Sequence, residues 1–140
     1  MALFPDDMPK VDPVWDDREF WEHCRKRELR FQACADCGTP RHPPTPVCGA
    51  CHSMKVQWIE APAGAELFSF TRVHYPSHPA VKGNLPYVVG LVVFPDLPGV
   101  KLVSNVTDAD DVRIGMKLEL WWDDAGDGQW LPRFRPAGDD

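Results

Sequence analysis

The chain has 140 residues, with 21 acidic and 15 basic side chains and a formal net charge of −6. That acidity gives no general attraction for phosphate backbones, and a composition that is 44% hydrophobic, with six tryptophans, belongs to a folded globular protein and excludes a disordered one. No run approaches the ~20 apolar residues of a bilayer span, which argues against a membrane partner.

In chain order, residues 1–12 are rich in proline and aspartate and are expected to lack fixed structure. Asp12 followed by Pro13 reads as an N-cap with proline at the first helical position, and Val14 to Glu28 holds no glycine or proline, so a helix is predicted there. Acidic Asp12, Asp16, Asp17, Glu19 and Glu22 come first and the basic run from Arg25 to Arg30 comes last, the order that complements a helix dipole. Trp15, Phe20, Trp21 and Cys24 form an incomplete apolar stripe, so this helix is expected to dock on something larger. Most such aromatics are core, and the alternative is that Trp15, Phe20 or Trp21 meets another polypeptide.

Leu29, Phe31 and Ala33 alternate with Arg30 and Gln32, predicting a short strand into Cys34, and Val56 to Ile59 reads as a returning strand. Residues 31–60 thus form a small two-stranded module closed at one end by Cys34-x-x-Cys37 and Cys48-x-x-Cys51. MALFPDDMPK has neither a basic nor an apolar leader segment, so a cytoplasmic location is expected, where thiols stay reduced and clustered cysteines are more often metal ligands or redox centres than disulfides. Two Cys-x-x-Cys tips facing each other complete the tetrahedron that zinc prefers, and Gly38 and Gly49 are expected to relax the backbone beside the sulfurs. Cys48-Gly49-Ala50-Cys51-His52 also matches a haem c attachment pattern, but haem would require export and would leave Cys34 and Cys37 unexplained. A thioredoxin-like redox pair needs a parallel strand-helix unit that this pattern lacks. Four thiolates leave no open position, so the expected ion is a structural Zn2+, with iron in the same cage as the alternative. Arg41, His42, His52 and Lys55 lie close in sequence and are placed to offset the thiolate charge or simply to be exposed, while Cys24 reads as a small buried hydrophobe.

Residues 61–140 change pattern to five strand-like runs: Leu67 to Tyr75, Tyr87 to Phe94, Val100 to Val106, Met116 to Trp122 and Gln129 to Phe134. Turn chemistry at Pro95 to Gly99 and Asp123 to Gly128 separates them, and the connection from Asp108 to Gly115 has room for a short helical turn. Five antiparallel strands with a longer link before the fourth suit a closed OB-fold barrel, in a fold that is mainly β overall. The long link from Pro76 to Pro86 is the expected mobile, ligand-facing element, and the C-terminal PAGDD is expected to fray. Ser69, Ser77 and Ser104 lack a nucleophile elbow, no glycine-rich phosphate loop occurs, and Asp108, Asp110 and Asp111 lack the glycine and terminal glutamate of a calcium loop. His74 and His78 lie at a strand end and in the long link. No catalytic residue is expected.

The order of parts resembles the family of zinc-ribbon OB-fold proteins associated with acyl-CoA metabolism. The resemblance runs from Phe20 to Phe134 and rests on Phe20-Trp21, Cys34-Ala35-Asp36-Cys37-Gly38, the proline before Cys48-Gly49-Ala50-Cys51, the lead from Gly64 to Thr71 into the barrel, Pro86-Tyr87 and Ile114-Gly115. The chain departs from the family at Gly49, where proline is common, and at Pro62-Ala63-Gly64-Ala65, where the family often has Ser-Gly-x-Gly. The resemblance implies an accessory subunit, hetero-oligomeric with a thiolase-fold enzyme: an acyl-CoA thiolase, an acyltransferase or a lipid-transfer-protein-like aldolase of steroid side-chain degradation, joined in some systems by a hotdog-fold hydratase. It implies that the partner carries the catalytic groups while this chain helps hold an acyl-CoA thioester, with Arg72, His74, Lys82, Tyr87, Arg133 and Arg135 as candidates to meet CoA. Single-stranded nucleic-acid binding through Phe68, Phe70, Tyr75 and Tyr87 is the rival reading that the net charge opposes, and a self-sufficient acyl-CoA enzyme is the third.

Overall fold

The helix begins later than the proline signal implies. In the computed structural model, which describes residues 2–138, α1 spans Arg18–Arg25 with Asp17 at its N-cap, and Asp12 and Pro13 stay outside it. Asp17 turns its carboxylate back to accept the Val14 N–H at 2.7 Å, which closes a turn ahead of the helix and uses up the capping side chain. α1 buries Phe20 and Cys24. Its basic end grips the rest of the molecule: Arg25 donates to the Asp127 carbonyl at 3.0 Å, and the Arg27 guanidinium lies 4.9 Å from the Trp130 ring centroid. These arginines therefore fasten the helix as well as complementing its dipole.

The module after the helix has three strands, not two. β1 (Arg30–Cys34) pairs on one side with β2 (Pro40–Arg41) and on the other with β3 (Val56–Glu60), both antiparallel. The extra strand is a two-residue bridge, Gln32 with Arg41 and Ala33 with Pro40, and so leaves no period-two signal. Buried Gln32 accepts from Arg41 Nε at 2.6 Å and from the Thr45 N–H at 2.9 Å, pinning the proline-rich return.

β4 (Ala65–Val73), β5 (Tyr87–Val93), β6 (Lys101–Val106), β7 (Lys117–Asp124) and β8 (Trp130–Pro136) close a barrel in the order β4-β5-β6-β8-β7. Five strands in the predicted sequence positions form it, and the connection after β6 makes turns and no helix. Leu67 faces in and its neighbour Phe68 faces outward, as strand alternation requires, and the register with β5 shifts between Leu67 and Ser69. Gly90 is dictated by packing: a Cβ there would sit 2.8 Å from Leu67 Cδ1 and 3.1 Å from Val106 Cγ2.

One aromatic row joins the parts. Phe20 of α1 stacks on Phe31 of β1 at 6.4 Å, Phe31 meets Phe94 at 5.3 Å, and Phe94 meets Phe134 inside the barrel at 6.3 Å. Phe20 is only 2% exposed, so it belongs to this core and has no surface for a partner. His42 sits beside the row, 4.9 Å from the Phe20 ring and 5.3 Å from Phe31, and its backbone bridges Val100. It is thus a packing group between the three-stranded module and the barrel. Burial lowers its pKa to about 4, against an opposing pull from Asp17.

The expectation of an unstructured N-terminus is corrected. Leu3 donates its N–H to Asp123 at 2.9 Å and accepts from Asn84 at 3.2 Å, and Lys10 reaches the Ala125 carbonyl at 2.8 Å, so Ala2–Val11 runs across the barrel as an arm. The link expected to be mobile holds a 3-10 helix, Pro79–Asn84, capped by His78, whose Nδ1 accepts the Ala80 N–H at 3.0 Å. No helix among the described residues is long and apolar enough to cross a membrane.

Candidate metal centre and barrel groove

The first cysteine pair sits at the tip of the β1–β2 hairpin and the second in a turn before β3, and the two tips repeat one backbone pattern. Cys34 N–H donates to the Thr39 carbonyl and Gly38 N–H to the Cys34 carbonyl, both at 2.9 Å. In the second tip Cys48 N–H donates to Ser53 and His52 N–H to Cys48, again at 2.9 Å. Gly38 takes φ +81° and His52 takes φ +65° at equivalent positions. The expected role of Gly49 therefore falls to His52, and the residue that gave the haem-like pattern is a turn former. Its left-handed backbone is one that glycine adopts at no steric cost.

The tips bring Cys34, Cys37, Cys48 and Cys51 together, with all four Sγ atoms within 4.8 Å of one another. Cys34 and Cys51 sulfurs are 3.5 Å apart and those of Cys37 and Cys48 3.6 Å. A tetrahedral cage with ~2.3 Å metal–sulfur bonds has edges of about 3.8 Å, so the spacing fits an ion of that size. Amides are aimed at the sulfurs: Cys37 N–H reaches Cys34 Sγ at 3.4 Å and Ala50 N–H reaches Cys48 Sγ at 3.4 Å. The Cys37 amide is the largest influence lowering Cys34 to about 6, and the amides of Cys51 and Ala50 lower Cys48. The Ser53 amide also lowers Cys51, but hydrogen bonds shared with the Cys34 and Cys37 sulfurs outweigh it and push Cys51 up to about 12. Four sulfurs this close cannot all carry negative charge without a cation between them, which is the donor chemistry of a metal cage. Arg41 does not face the cage: it braces Gln32 and the Thr45 carbonyl, the latter at 3.0 Å. Cys24, by contrast, is a lone buried thiol raised to about 12 by burial.

The candidate acyl-CoA residues divide. Arg72 and Tyr87 line a groove of about 430 Å³ on the barrel, together with Leu3, Phe4, Asn84, Asn105 and the connection Thr107 to Asp110. Arg133 lies under the same arm, but its guanidinium is committed. It pairs with buried Asp123 at 3.0 Å, donates to Asn105 at 2.7 Å and lies 5.8 Å from the Phe4 ring, with only 15% of its side chain exposed. Arg135 pairs across the sheet with Glu119 at 2.8 Å. His74 and Lys82 are exposed and do not line the groove. Trp15 is 92% exposed, and Trp21 is half-buried against the core, 5.0 Å from Phe20. Phe4, Asn84, Asn105 and Asp123 escape sequence reasoning. The one available signal was Asp123, a carboxylate directly after Leu120-Trp121-Trp122, which needs a partner if buried, such as the arginines alternating on the next strand.

The chain matches the profile of the ChsH2 rubredoxin-like zinc ribbon domain over residues 21–56 and that of the ChsH2 C-terminal OB-fold domain over residues 58–123. A chain of the solved Ltp2-ChsH2(DUF35) aldolase superposes with a TM-score of 0.83 and 37% identity, covering 92% of this chain and 100% of that one. The chain belongs to the ChsH2 family. A DUF35-family protein of unknown function from Sulfolobus solfataricus, 21% identical with a TM-score of 0.61 over 85% of this chain and 83% of its own, shares the fold. Among curated relatives, the "Probable enoyl-CoA hydratase alpha subunit" of Thermomonospora curvata is 40% identical over 124 residues, 86% of this chain. The 3-oxo-4,17-pregnadiene-20-carboxyl-CoA hydratase alpha subunit of Mycobacterium tuberculosis is 32% identical over 118 residues, 84% of this chain. The chain spans 38% and 36% of the lengths of these two relatives. ChsH2-type zinc ribbon and OB barrel account for both halves of the fold described above.

Proposed function

We propose that this ChsH2-family chain is an accessory, non-catalytic subunit that docks on a thiolase-fold aldolase of steroid side-chain degradation and supports its acyl-CoA substrate. The observation that carries this reading is the likeness, over the full length of the compared chain, to a chain of the Ltp2-ChsH2(DUF35) aldolase. The names of the two curated relatives, both hydratase alpha subunits, support a hydratase as a further member of the assembly.

Cys34, Cys37, Cys48 and Cys51 would hold Zn2+, and four thiolates leave it no site for water, so its contribution is to the fold. Amides aimed at the sulfurs favour the charged thiolates such an ion requires. Exposed Trp15, with Val14 beside it, and Val47 and Met54 flanking the second cysteine pair offer apolar surface for the partner. Aromatic side chains on a rigid support are the residues most often found at the centre of protein interfaces.

The test is co-expression with an Ltp2-type aldolase subunit, followed by size exclusion and an aldol-cleavage assay on a steroid acyl-CoA. Expected are a stable hetero-oligomer, one zinc per chain, activity dependent on both chains, and weakened assembly in Trp15→Ala. A chain that neither assembles with the aldolase nor alters its activity overturns the reading, as does turnover of the thioester by this chain alone.

A further inference from the structure

Leu3 and Phe4 do more than pack. The Leu3 N–H binds Asp123 Oδ1 on β7, and its carbonyl accepts from Asn84 in the link between β4 and β5, so one residue ties the sheet to that link. Phe4 stands edge-on to Tyr87 with ring centroids 5.5 Å apart, and the Arg133 guanidinium lies 5.8 Å from its centroid. The rest of the arm is lightly held. Pro5, Asp6, Asp7, Pro9 and Lys10 are exposed, and beyond Phe4 a single side-chain hydrogen bond among the described residues, Lys10 to Ala125, anchors it. Segments with few buried apolar contacts and exposed hydrogen bonds open at low free energy.

The groove roofed by Leu3 and Phe4 has a mixed lining. Arg72 lies 5.8 Å over the Phe70 ring and makes no ion pair among the described residues, so its donors are unclaimed. Asp108 and Asp110 lie on the connection after β6, and Asn84, Asn105 and Thr107 also line the groove. Asn84, Asn105 and Thr107 already have partners within the chain, so the groups an apolar ligand would bury uncompensated are the Arg72 guanidinium and the Asp108 and Asp110 carboxylates. The nucleotide end of a CoA thioester complements them: a phosphate at Arg72, the single free ribose 2′-hydroxyl donating to a carboxylate of the connection after β6, and a planar base against Tyr87 where Phe4 now stands.

We propose that the arm Ala2–Val11 is a displaceable lid over a groove for the adenine-nucleotide end of a CoA thioester, with Phe4 holding the place of the base. This rests on the acyl-CoA reading above and adds the end of the molecule that is gripped and the element that must move.

The test is calorimetric titration of the full chain, Phe4→Ala and Phe4→Ala/Arg72→Ala with CoA, adenosine 3′,5′-bisphosphate and pantetheine, with amide exchange followed across Asn84 to Val89. Phe4→Ala is expected to tighten CoA and the bisphosphate at least fivefold and leave pantetheine unchanged, and Arg72→Ala is expected to remove the gain. Bound CoA should slow exchange at Asn84 to Val89. Unchanged or weaker CoA binding in Phe4→Ala overturns the lid. A gain shared by pantetheine, or one that survives Arg72→Ala, overturns the nucleotide assignment. Bisphosphate binding tighter than CoA places a free nucleotide there and overturns the thioester. Should Phe4→Ala fail to fold, Phe4→Leu keeps an apolar contact and must move affinity in the same direction. Aldolase capture by each variant is scored separately: normal capture with no change in ligand binding sinks only the lid, while loss of capture in the parent chain sinks the accessory-subunit reading.

Discussion

The cysteine module and the barrel are built on opposite principles. In the module, strands of 5, 2 and 5 residues bury little beyond Phe31, Ala33 and two sulfurs, and the fold is closed by side chains converging on one point. In the barrel, Leu67, Val92, Leu102, Val106, Leu118 and Phe134 fill a continuous interior, and the closure is one of hydrogen-bonded strands. A region too small to bury its own surface relies on coordination, whereas one large enough relies on the apolar area it removes from water. The aromatic row from Phe20 to Phe134 is where the two meet.

Breaking the coordination has the largest expected effect. Cys34→Ser, or stripping the ion with a chelator, should cost on the order of several kcal/mol and free the amides of residues 34–55 to exchange while those of the barrel stay protected. A metal-free chain whose module stays fully protected would abolish the contrast.

Breaking the burial comes next. Phe134→Ala removes a fully buried ring and should lower unfolding free energy by about 3–5 kcal/mol in urea titrations, with metal content unchanged in the folded protein. A loss under about 1 kcal/mol would mean that the barrel collapses around the gap, and that the row is not shared.

The junction itself has a pH signature. His42 is held neutral, with a pKa of about 4 against its ordinary 6.5, so the unfolded chain binds the proton more readily than the folded one. Its contribution is therefore whole above pH 6.5 and is lost as pH falls toward 4, by up to about 3 kcal/mol. His42→Phe should flatten the stability profile in that window, and an unchanged slope would remove His42 from the junction.

The smallest effects separate the two cysteine tips. His52→Gly should stabilise by about 1 kcal/mol, and Gly38→Ala at the equivalent left-handed position should destabilise by about as much, both read as shifts in thermal midpoint. Opposite signs at matched positions would show that backbone conformation, and not the imidazole, is what position 52 requires.

Much of this molecule was legible before folding. The five barrel strands stand out because β-prone runs are separated by turn-forming residues, and the four cysteines because ligand spacing is local. The two-residue strand β2 is too short to leave such a trace. The helix start was misplaced because Asp12-Pro13 is a sound local signal overridden by Asp17 turning back to Val14. The N-terminal arm left no trace at all, since its order comes from Asp123, Asn84 and Tyr87, all more than 80 positions away.

Sequence alone determined the sulfur cage and the barrel, because ligand spacing, strand-forming runs and the turns between them are written within a few residues of one another. Tertiary structure decided that Phe20 is core while Trp15 is surface, that Arg133 is spoken for while Arg72 is free of ion pairs among the described residues, and that an arm rich in proline and aspartate lies over the groove. Those outcomes depend on which distant groups compete for the same partner, and that competition exists only once the chain has closed on itself.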